Sequence, residues 1–523
     1  MAIHHGGAQL TIAGGVREFA TASPSAIAVC DGDRDLTYAA LHERSSRLAC
    51  ALLSAGLAPG DRVAVLLGNR LEYPEVAAGL AMAGLPMVPL NPRLTGAEIG
   101  YILGHSAARA LILDEAYASA AAPAVADLGI GVVWSLNGTG LGPAYEDVLA
   151  KARAVDPSVP VNEMDPFCIA YTSGTTGQPK GVQISHRSRC LTFYAAAIEW
   201  GLGPGRRTIA VAPMYHGAGF AFSYAAVHCG GTVSMLRAFD PQLLLGEIAR
   251  RRAQSVFLVP THAQMIRSLG DGAVTRHDLS SLDTLYFNAA ALPWALKEWV
   301  LDILPQCGVH ELYGSTEAGI VTNLRPADAR RKPGSVGHPW FLTEVRLVGA
   351  DGQVVPAGTP GELYSRSPYL MNGYLNDDAA TAACTTPDGF LTAGDIAAAD
   401  EEGFISIVDR VKDVIITGGA NVYPREVEET LLSDPGVADA AVIGAPDETW
   451  GERVTACWVR RPGAAVTDAS LEARCRSQLA GYKVPRLWRE LPSLPRNAGG
   501  KVLKRELRAA VVDSGPPARQ ESV

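Results

Sequence analysis

Residues 167–181 read FCIAYTSGTTGQPKG. The apolar stretch from Phe167 to Tyr171 predicts a strand, and a loop rich in hydroxyls and glycines follows it and ends at Lys180. Such a loop suits phosphate groups, because glycine lets backbone N–H groups approach closely while hydroxyls donate and lysine supplies positive charge. Pro179 stiffens the turn before the lysine. The stretch therefore predicts a phosphate-binding loop behind a buried strand.

The spacing of this loop differs from the Walker A pattern, which places four residues between its first glycine and Gly-Lys. Here Gly174 and Gly177 precede Lys180. On composition alone, an ordinary flexible Ser/Gly loop is the alternative interpretation. The candidate nucleotide-binding residues of the loop are Thr172, Ser173, Gly174, Thr175, Thr176, Gly177 and Lys180.

Helical and strand patterns alternate on both sides of the loop, over residues 36–115 and 207–312. Leu41, Leu48 and Leu52 recur at helical spacing, and residues 62–67 follow as a strand. Strands that alternate with helices favour a largely parallel sheet covered by helices. The predicted fold class is therefore α/β, with a large N-terminal domain of two parallel-type αβ subdomains.

The composition changes after residue 330, where glycine and proline become frequent. The predicted strands there are short, as at 343–348 and 361–364. This pattern predicts a small antiparallel, barrel-like subdomain. A further shift near residue 409 introduces a stretch with its own core pattern, typical of a small α+β domain. The predicted domains are 1–409 and 410–523, with a frayed tail after about residue 510.

Composition narrows the class of protein. At 523 residues the chain is long enough for two or more domains, and 48% hydrophobic residues allow large cores. A net charge of −9 argues against nucleic acid as the main partner. Nine scattered cysteines without a C-x-x-C pair predict reduced thiols. With neither a signal peptide nor a membrane span predicted, the expected location is the cytoplasm.

The stretch YTSGTTGQPKG resembles the adenylate-forming superfamily, which includes acyl-CoA synthetases, peptide-synthetase adenylation domains and firefly luciferase. Further segments resemble the family's other motifs and follow in the family's order: 212–217, 311–317, 361–375, 392–395, 409–424 and 495–501. The resemblance covers about residues 25–510. It implies a mobile C-terminal domain that carries a catalytic lysine.

The resemblance implies roles for residues of the segment 311–317. Tyr313 is expected to pack on adenine, Thr316 to contact the α-phosphate and Glu317 to hold Mg²⁺. These roles are chemically reasonable, because an aromatic face suits a base and a hard carboxylate suits Mg²⁺. The resemblance also implies Thr176 as a second metal ligand, and as further nucleotide contacts Ala289, Ala290, Ala291, Gly314 and Ser315.

Four residues near the C-terminal domain also receive roles from the resemblance. Asp395 is expected to accept both ribose hydroxyls, as a carboxylate can for a vicinal diol, and Arg410 to reach the ribose. Lys412 is implied as the hinge pivot. Lys501 is implied as the catalytic cation that assists attack of one anion on another.

The resemblance to coumarate–CoA ligases implies an acyl pocket lined by Tyr215, Ala218, Phe220, Phe287, Asn288, Ile320 and Val321, with His216 as a further candidate catalytic residue. None of these lining residues is charged, and an unpaired charge is costly to bury. We therefore expect an apolar monocarboxylic acid, aromatic or medium-chain. Ala289 stands where relatives usually have glycine, and Ile320 where plant coumarate ligases have proline.

The function that follows is ATP-dependent activation of this acid to an acyl-adenylate with pyrophosphate release, and transfer to coenzyme A past Gly418 and Gly419. ATP, Mg²⁺ and coenzyme A are the implied cofactors. A carrier-protein thiol, an amine or a small inorganic nucleophile is the alternative acceptor, and a homodimer or a carrier protein stays open as partner. A catalytically dead nucleotide sensor is disfavoured, because Glu317, Lys412 and Lys501 are all present.

Overall fold

The computed structural model describes residues 9–138, 140–172, 178–418, 420–447, 449–496 and 502–513. The α-helices are α1 Gly14–Ala22, α2 Tyr38–Ser54, α3 Glu72–Met82, α4 Gly96–His105, α5 Ala118–Leu128, α6 Tyr145–Lys151, α7 His186–Trp200, α8 Gly217–His228, α9 Pro241–Arg251, α10 Pro260–Ser268, α11 Asp271–Val274, α12 Trp294–Ile303, α13 Asp378–Cys384, α14 Pro424–Leu432, α15 Asp468–Gln478 and α16 Lys504–Asp513.

The strands are β1 Ile27–Asp31, β2 Arg34–Thr37, β3 Val63–Leu66, β4 Met87–Pro89, β5 Ala110–Asp114, β6 Val132–Leu136, β7 Pro166–Thr172, β8 Lys180–Ser185, β9 Arg207–Ala210, β10 Thr232–Met235, β11 Ser255–Leu258, β12 Thr284–Phe287, β13 Gly308–Ser315, β14 Gly319–Leu324, β15 His338–Pro339, β16 Glu344–Val348, β17 Gly361–Arg366, β18 Gly373–Tyr374, β19 Leu391–Ala399, β20 Ile405–Arg410, β21 Ile415–Thr417, β22 Ala420–Val422, β23 Val437–Asp447, β24 Gly451–Arg460 and β25 Leu487–Glu490.

The chain divides into two compact units. The first unit comprises Met1–Val345 and Ser365–Ala393, and the second unit comprises Arg346–Tyr364 and Gly394–Val523. The first unit contains the two large sheets, and the second contains the smaller α+β region. The predicted division at 409/410 stays a prediction.

One large sheet of the first unit has seven strands in the order β18-β8-β7-β4-β3-β5-β6. Strands β7, β4, β3, β5 and β6 run parallel, and β8 and β18 extend the sheet by antiparallel pairs. Every residue of β3, Val-Ala-Val-Leu, is buried, as expected for a parallel strand covered on both faces. The antiparallel β7–β8 hairpin is the element that carries the predicted phosphate loop.

The other large sheet has nine strands in the order β15-β14-β13-β12-β11-β9-β10-β1-β2. The strands from β13 through β12, β11, β9 and β10 to β1 are parallel, and antiparallel strands close both edges. Aliphatic side chains from helices α9, α10 and α12 bury one face of this sheet. The turns that leave β12 and β13 carry the predicted adenine- and phosphate-binding residues.

The remaining sheets are antiparallel or mixed. Strands β16-β17-β19-β20 form a four-stranded sheet in the region predicted to be barrel-like. In the second unit, β23 and β24 form a long antiparallel hairpin, with β21 and β22 on one side and β25 paired to β24. Trp458 lies fully buried in a core of its own between this sheet and its helices. The α/β fold class with a smaller C-terminal α+β region is thereby confirmed.

Element boundaries differ little from the predictions. The strand predicted at 62–67 spans Val63–Leu66. Helix α3 begins at Glu72 and contains Pro74 in its first turn, where the missing N–H of proline has no helical partner. The cysteines are free thiols, as predicted. Within the described residues, no helix combines the length and apolar character needed to cross a bilayer.

Candidate active site

The predicted phosphate loop joins two antiparallel strands. Thr172 at the end of β7 pairs directly with Lys180 at the start of β8. Residues Ser173, Gly174, Thr175, Thr176 and Gly177 lie outside the described residues. The pairing fixes the two ends of the loop and holds the lysine at its mouth.

Two side chains of α4 brace this hairpin. Tyr101 donates a hydrogen bond from its hydroxyl to the Pro179 carbonyl at 3.1 Å. His105 Nδ1 lies 2.8 Å from the Tyr171 hydroxyl, and its ring stacks on that of Tyr101. The base of the loop is therefore anchored to a helix on both strands.

The Lys180 ammonium faces strand β18. Its Nζ lies 3.5 Å from Asp377 Oδ2 and 5.0 Å from the centroid of the Tyr374 ring. Tyr374 is held there by its pairing with Val182 of β8. The lysine remains partly exposed, with 26% of its side chain accessible. The ion pair with the exposed Asp377 is weak, so Lys180 can exchange it for a more highly charged phosphate.

Glu317 is connected to the same cluster. The Tyr374 hydroxyl donates to Glu317 Oε1 at 3.1 Å, and the Glu317 carbonyl accepts the Met371 amide at 2.8 Å. Burial, followed by the charge of Glu317, raises the pKa of Tyr374, so its hydroxyl keeps its proton. One partly exposed carboxylate beside a cation suits Mg²⁺, which takes most of its ligands from phosphate and water. Among the described residues, no cluster of three or more metal-ligating side chains occurs.

The segment before Glu317 is shaped by the β13–β14 hairpin. Gly314 pairs with Ile320, and Ser315 pairs with Gly319. A Cβ on Gly314 would meet the Gly319 carbonyl oxygen at 2.0 Å, so only glycine fits at this position. Tyr313, Ser315 and Thr316 are half-buried along this hairpin.

The loop after β12 carries the predicted Ala289, Ala290 and Ala291, which are exposed. Ala289 has φ +75°, a left-handed conformation that favours glycine. Its amide donates to its neighbour Asn288 Oδ1 at 2.5 Å. The glycine usual here in relatives is therefore the less strained residue.

A buried ion pair anchors the other end of that loop. Lys297 Nζ lies 3.0 Å from Glu311 Oε2, and Glu311 Oε1 accepts the Leu292 amide at 3.3 Å. Both charged side chains are almost completely buried. The first acid of the 311–317 motif therefore supports the loop rather than the reaction.

Helix α8 begins at the predicted acyl site. Its N-cap residue His216 makes no side-chain capping bond, and the Nε2 atom is buried without a partner among the described residues. Burial, assisted by the positive charge of Arg93, lowers the pKa of His216 to about 4, so the ring is neutral at pH 7. The Tyr215 ring lies 4.7 Å away between centroids.

The other predicted lining residues are more buried. Phe220 stacks on Phe167 with 5.7 Å between ring centroids, and Phe287 is fully buried in the core of the nine-stranded sheet. Ile320 and Val321 are also buried, whereas Ala218 and Asn288 are half-buried. The half-buried positions, with Tyr215 and His216, are those open to a ligand in this arrangement.

Asn69 positions this wall, and sequence reasoning missed it. Its amide nitrogen donates to the carbonyls of Ala210, Ala212 and Leu236 at 3.0 to 3.2 Å, and its Oδ1 accepts the Met214 amide at 2.8 Å. The side chain is buried and ties strands β9 and β10 to the segment that precedes Tyr215. The available signal was a polar residue three positions after the apolar strand β3.

In the second unit, Asp395 and Arg410 lie opposite each other on β19 and β20. Arg410 Nε contacts Asp395 Oδ1 at 2.9 Å, and the Asp395 side chain is nearly buried. The two residues assigned to the ribose are thus brought together. The neighbouring Asp409 accepts the amides of Arg410 and Arg425 and joins this strand to helix α14.

The predicted hinge and acceptor loop follow directly. Lys412 is exposed, whereas the adjacent Asp413 is buried and pairs with Arg508 of α16 at 2.8 Å. Gly418 has φ +56°, and a Cβ there would lie 2.8 Å from the ring of Trp450. Gly419 and Lys501 lie outside the described residues.

Comparison with known proteins identifies the whole arrangement. The family model described as AMP-binding enzyme matches residues 16–375, and that of the AMP-binding enzyme C-terminal domain matches 426–501. A feruloyl-CoA synthase from Amycolatopsis sp is 39% identical over 93% of the chain and 96% of its own length. The fatty acid–[acyl-carrier-protein] ligase ScoC from Streptomyces coeruleorubidus is 35% identical over 92% of both chains. The solved amide bond synthetase McbA from Marinactinospora thermotolerans is similar with a TM-score of 0.87 and 31% identity, covering 96% of this chain and 99% of its own.

Proposed function

The chain belongs to the AMP-binding enzyme family, and we propose that it activates a carboxylic acid with ATP, releases pyrophosphate and transfers the acyl group to coenzyme A. The family resemblance drawn from the sequence is thereby confirmed. The observation that carries the proposal is the cluster of Lys180, Tyr374 and Glu317 beside the phosphate hairpin.

This cluster matches the demands of the first step. An oxygen of the acid attacks the α-phosphorus of ATP, the bond to the β-phosphate oxygen breaks and pyrophosphate leaves with its electron pair. Both reactants are anions, so catalysis depends on neutralising charge and on positioning. Lys180 supplies a fixed positive charge, and we assign a second to Lys501. Glu317, with Thr176, would hold Mg²⁺, which when bound neutralises phosphate charge.

Nucleotide positioning is assigned to a second set of residues. Tyr313 provides an aromatic face for adenine, Thr316 a hydroxyl for the α-phosphate, and Asp395 with Arg410 the contacts to the ribose. The Asp395–Arg410 ion pair supports this assignment, because it holds the two residues assigned to the ribose next to each other. Lys412 is assigned to the hinge about which the C-terminal domain moves between adenylation and acyl transfer.

Coenzyme A is the proposed acceptor. The Trp450 ring packs against the bare backbone of Gly418, so a side chain does not fit there. We assign passage of the pantetheine arm to the Gly418-Gly419 segment by the family resemblance. The feruloyl-CoA synthase relative is a CoA ligase by its name, and the other two relatives are named for a carrier protein and for amide bond synthesis. A carrier-protein thiol or an amine is therefore the alternative acceptor.

The carbon skeleton of the acid is proposed to be apolar, aromatic or medium-chain. Tyr215, Ala218 and the neutral His216 are half-buried, Phe220 is buried, and all four are uncharged, which suits an apolar acyl group. The free thiols support a reducing compartment, and we propose a cytoplasmic location with the acid, ATP and coenzyme A as partners.

ATP–pyrophosphate exchange across a panel of carboxylic acids tests the first step. Acid-dependent exchange is expected, and its absence with every acid in the panel would refute the function. Incubation of the responding acid with and without coenzyme A then tests the acceptor. A thioester that forms only with coenzyme A supports the ligase, whereas accumulated adenylate that is released by an amine or a carrier protein supports the alternative.

A further inference from the structure

Arg189 is a buried cation that has no counter-charge within the described part of the chain. It lies near the start of α7, and only 9% of the residue is exposed. Its Nε is buried without a hydrogen-bond partner, and no ion pair reaches its guanidinium among the residues that the structure describes. By contrast Arg187, two residues earlier, pairs with Glu163 at 2.5 Å on the surface.

The titratable neighbours of Arg189 cannot neutralise it. These neighbours are the thiols of Cys168 and Cys190. Burial raises the pKa of Cys168 to about 12 and raises that of Cys190 as well, so both thiols are uncharged at pH 7. An unpaired buried charge costs free energy. An anionic ligand from outside the chain would offset that cost, which is a physical reason for an arginine at this position.

The guanidinium reaches the first residue of α8. A Cβ on Gly217 would lie 4.0 Å from Arg189 Nη2 and 3.9 Å from Thr316 Oγ1. The N-cap side chain of His216 leaves the first amides of this twelve-residue helix uncapped. A helix N-terminus favours negative charge, and Arg189 adds a full positive charge beside it.

Arg189 shares a face of helix α7 with an aromatic residue that packs on the predicted acyl pocket. Phe193 lies four residues further along α7 and therefore on the same helix face. Its ring contacts Phe220 at 6.3 Å between centroids, and Phe220 packs on Phe167. Arg189 thus shares its helix face with Phe193, which packs on an aromatic residue of the predicted acyl pocket.

We infer that Arg189 and the first turn of α8 bind an anionic oxygen group on the acyl part of the substrate, a second carboxylate or a comparably acidic oxygen separate from the reacting carboxylate. The inference rests on the proposed function and narrows its substrate class. A guanidinium can bind a carboxylate with two parallel hydrogen bonds, which gives both affinity and orientation. The acyl pocket predicted from the sequence contains only uncharged residues and does not include Arg189.

The test compares acids that differ by one carboxylate, hexanoate with adipate and cinnamate with 4-carboxycinnamate, by ATP–pyrophosphate exchange. The wild-type enzyme is expected to prefer adipate to hexanoate or 4-carboxycinnamate to cinnamate. Arg189→Leu should lower kcat/KM for that acid by about 10- to 150-fold, the range for a lost hydrogen bond to a charged group, while sparing the monocarboxylate. Arg189→Lys should retain part of the preference, and Arg187→Leu, the matched surface control, all of it.

A binding readout keeps the inference testable if Arg189→Leu does not fold. Without nucleotide, the preferred dicarboxylate should raise the Tm of the wild-type enzyme more than its partner does, and Arg189→Lys should reduce that difference. Equal losses for both acids, a wild-type preference for the monocarboxylates, or weaker stabilisation by ATP instead of the acid would each overturn the inference. Exchange with monocarboxylates alone refutes only this inference, whereas no exchange with any acid refutes the proposed function.

Discussion

Tyr374 donates a hydrogen bond from its hydroxyl to Glu317 Oε1 at 3.1 Å. The same ring faces the Lys180 ammonium, so one tyrosine bridges the cation of the phosphate loop and the carboxylate assigned to Mg²⁺. The tyrosine is brought there by the short strand β18, which pairs with β8 directly after the loop. The loop and the metal carboxylate are therefore mechanically coupled through a residue that belongs to neither motif.

Tyr374→Phe removes this hydrogen bond while keeping the ring beside Lys180. Glu317 then loses a donor that orients it, so KM for MgATP should rise about fivefold, equivalent to about 1 kcal/mol, with a smaller change in kcat. Exchange measured across Mg²⁺ concentrations checks this. Tyr194→Phe, at an exposed tyrosine, is the control. An unchanged Mg²⁺ dependence in Tyr374→Phe would contradict the bridge.

Lys501→Ala should lower the rate of adenylation by about 100- to 1,000-fold, because it removes a group assigned to stabilise charge in the transition state. Burst measurements of pyrophosphate release report this step separately from thioester formation. Lys151→Ala, at an exposed lysine of α6, should behave as wild type. Pyrophosphate release at a near-normal rate in Lys501→Ala would refute the assigned role.

Asn69→Ala leaves the carbonyls of Ala210, Ala212 and Leu236 and the Met214 amide without their side-chain partner. The free energy of unfolding should fall by about 3 kcal/mol, since several buried polar groups lose hydrogen bonds at once. Urea denaturation measures this, and Asn162→Ala at an exposed site serves as the control. A raised KM for the acid should accompany the change, because Asn69 holds the segment before Tyr215. A loss below 1 kcal/mol would argue against this role.

Acid should destabilise the protein through its buried histidines. Burial lowers the pKa of His228 to about 4, against about 6.5 when unfolded. The unfolded state therefore binds the proton first, and stability present above pH 6.5 is lost as the pH falls towards 4. His228 accounts for about 2 kcal/mol between pH 8 and pH 5. His228→Gln should reduce the pH slope of the unfolding free energy over this range, and an unchanged slope would contradict the prediction.

Ala289→Gly should stabilise the fold, because it removes a left-handed alanine. The relief of backbone strain outweighs the greater entropy of an unfolded glycine, for a net gain of about 0.5 to 1 kcal/mol. The midpoint of urea unfolding measures it. Ala291→Gly in the same exposed loop, where φ is not positive, should instead be neutral or slightly destabilising.

The sequence by itself determined the α/β class and the order of the motifs. Apolar runs such as 62–67 became buried parallel strands, because a strand covered on both faces has no polar residues to place. The composition of residues 167–181 predicted a phosphate-binding loop, because glycines, hydroxyls and a lysine can be recognised from the local sequence alone. Motif order also located Asp395 and Arg410, which the structure pairs.

Only the tertiary structure decided which residues share a site across long stretches of chain. Tyr374 meets Glu317 because two sheets converge there, and Asn69 meets Met214 across 145 positions of sequence. In the sequence Arg189 is an ordinary helical arginine. Only the structure shows that it is buried and that no counter-charge reaches it from the described residues. Hydrogen bonds and desolvation depend on distance in space, and no local pattern of residues records that distance.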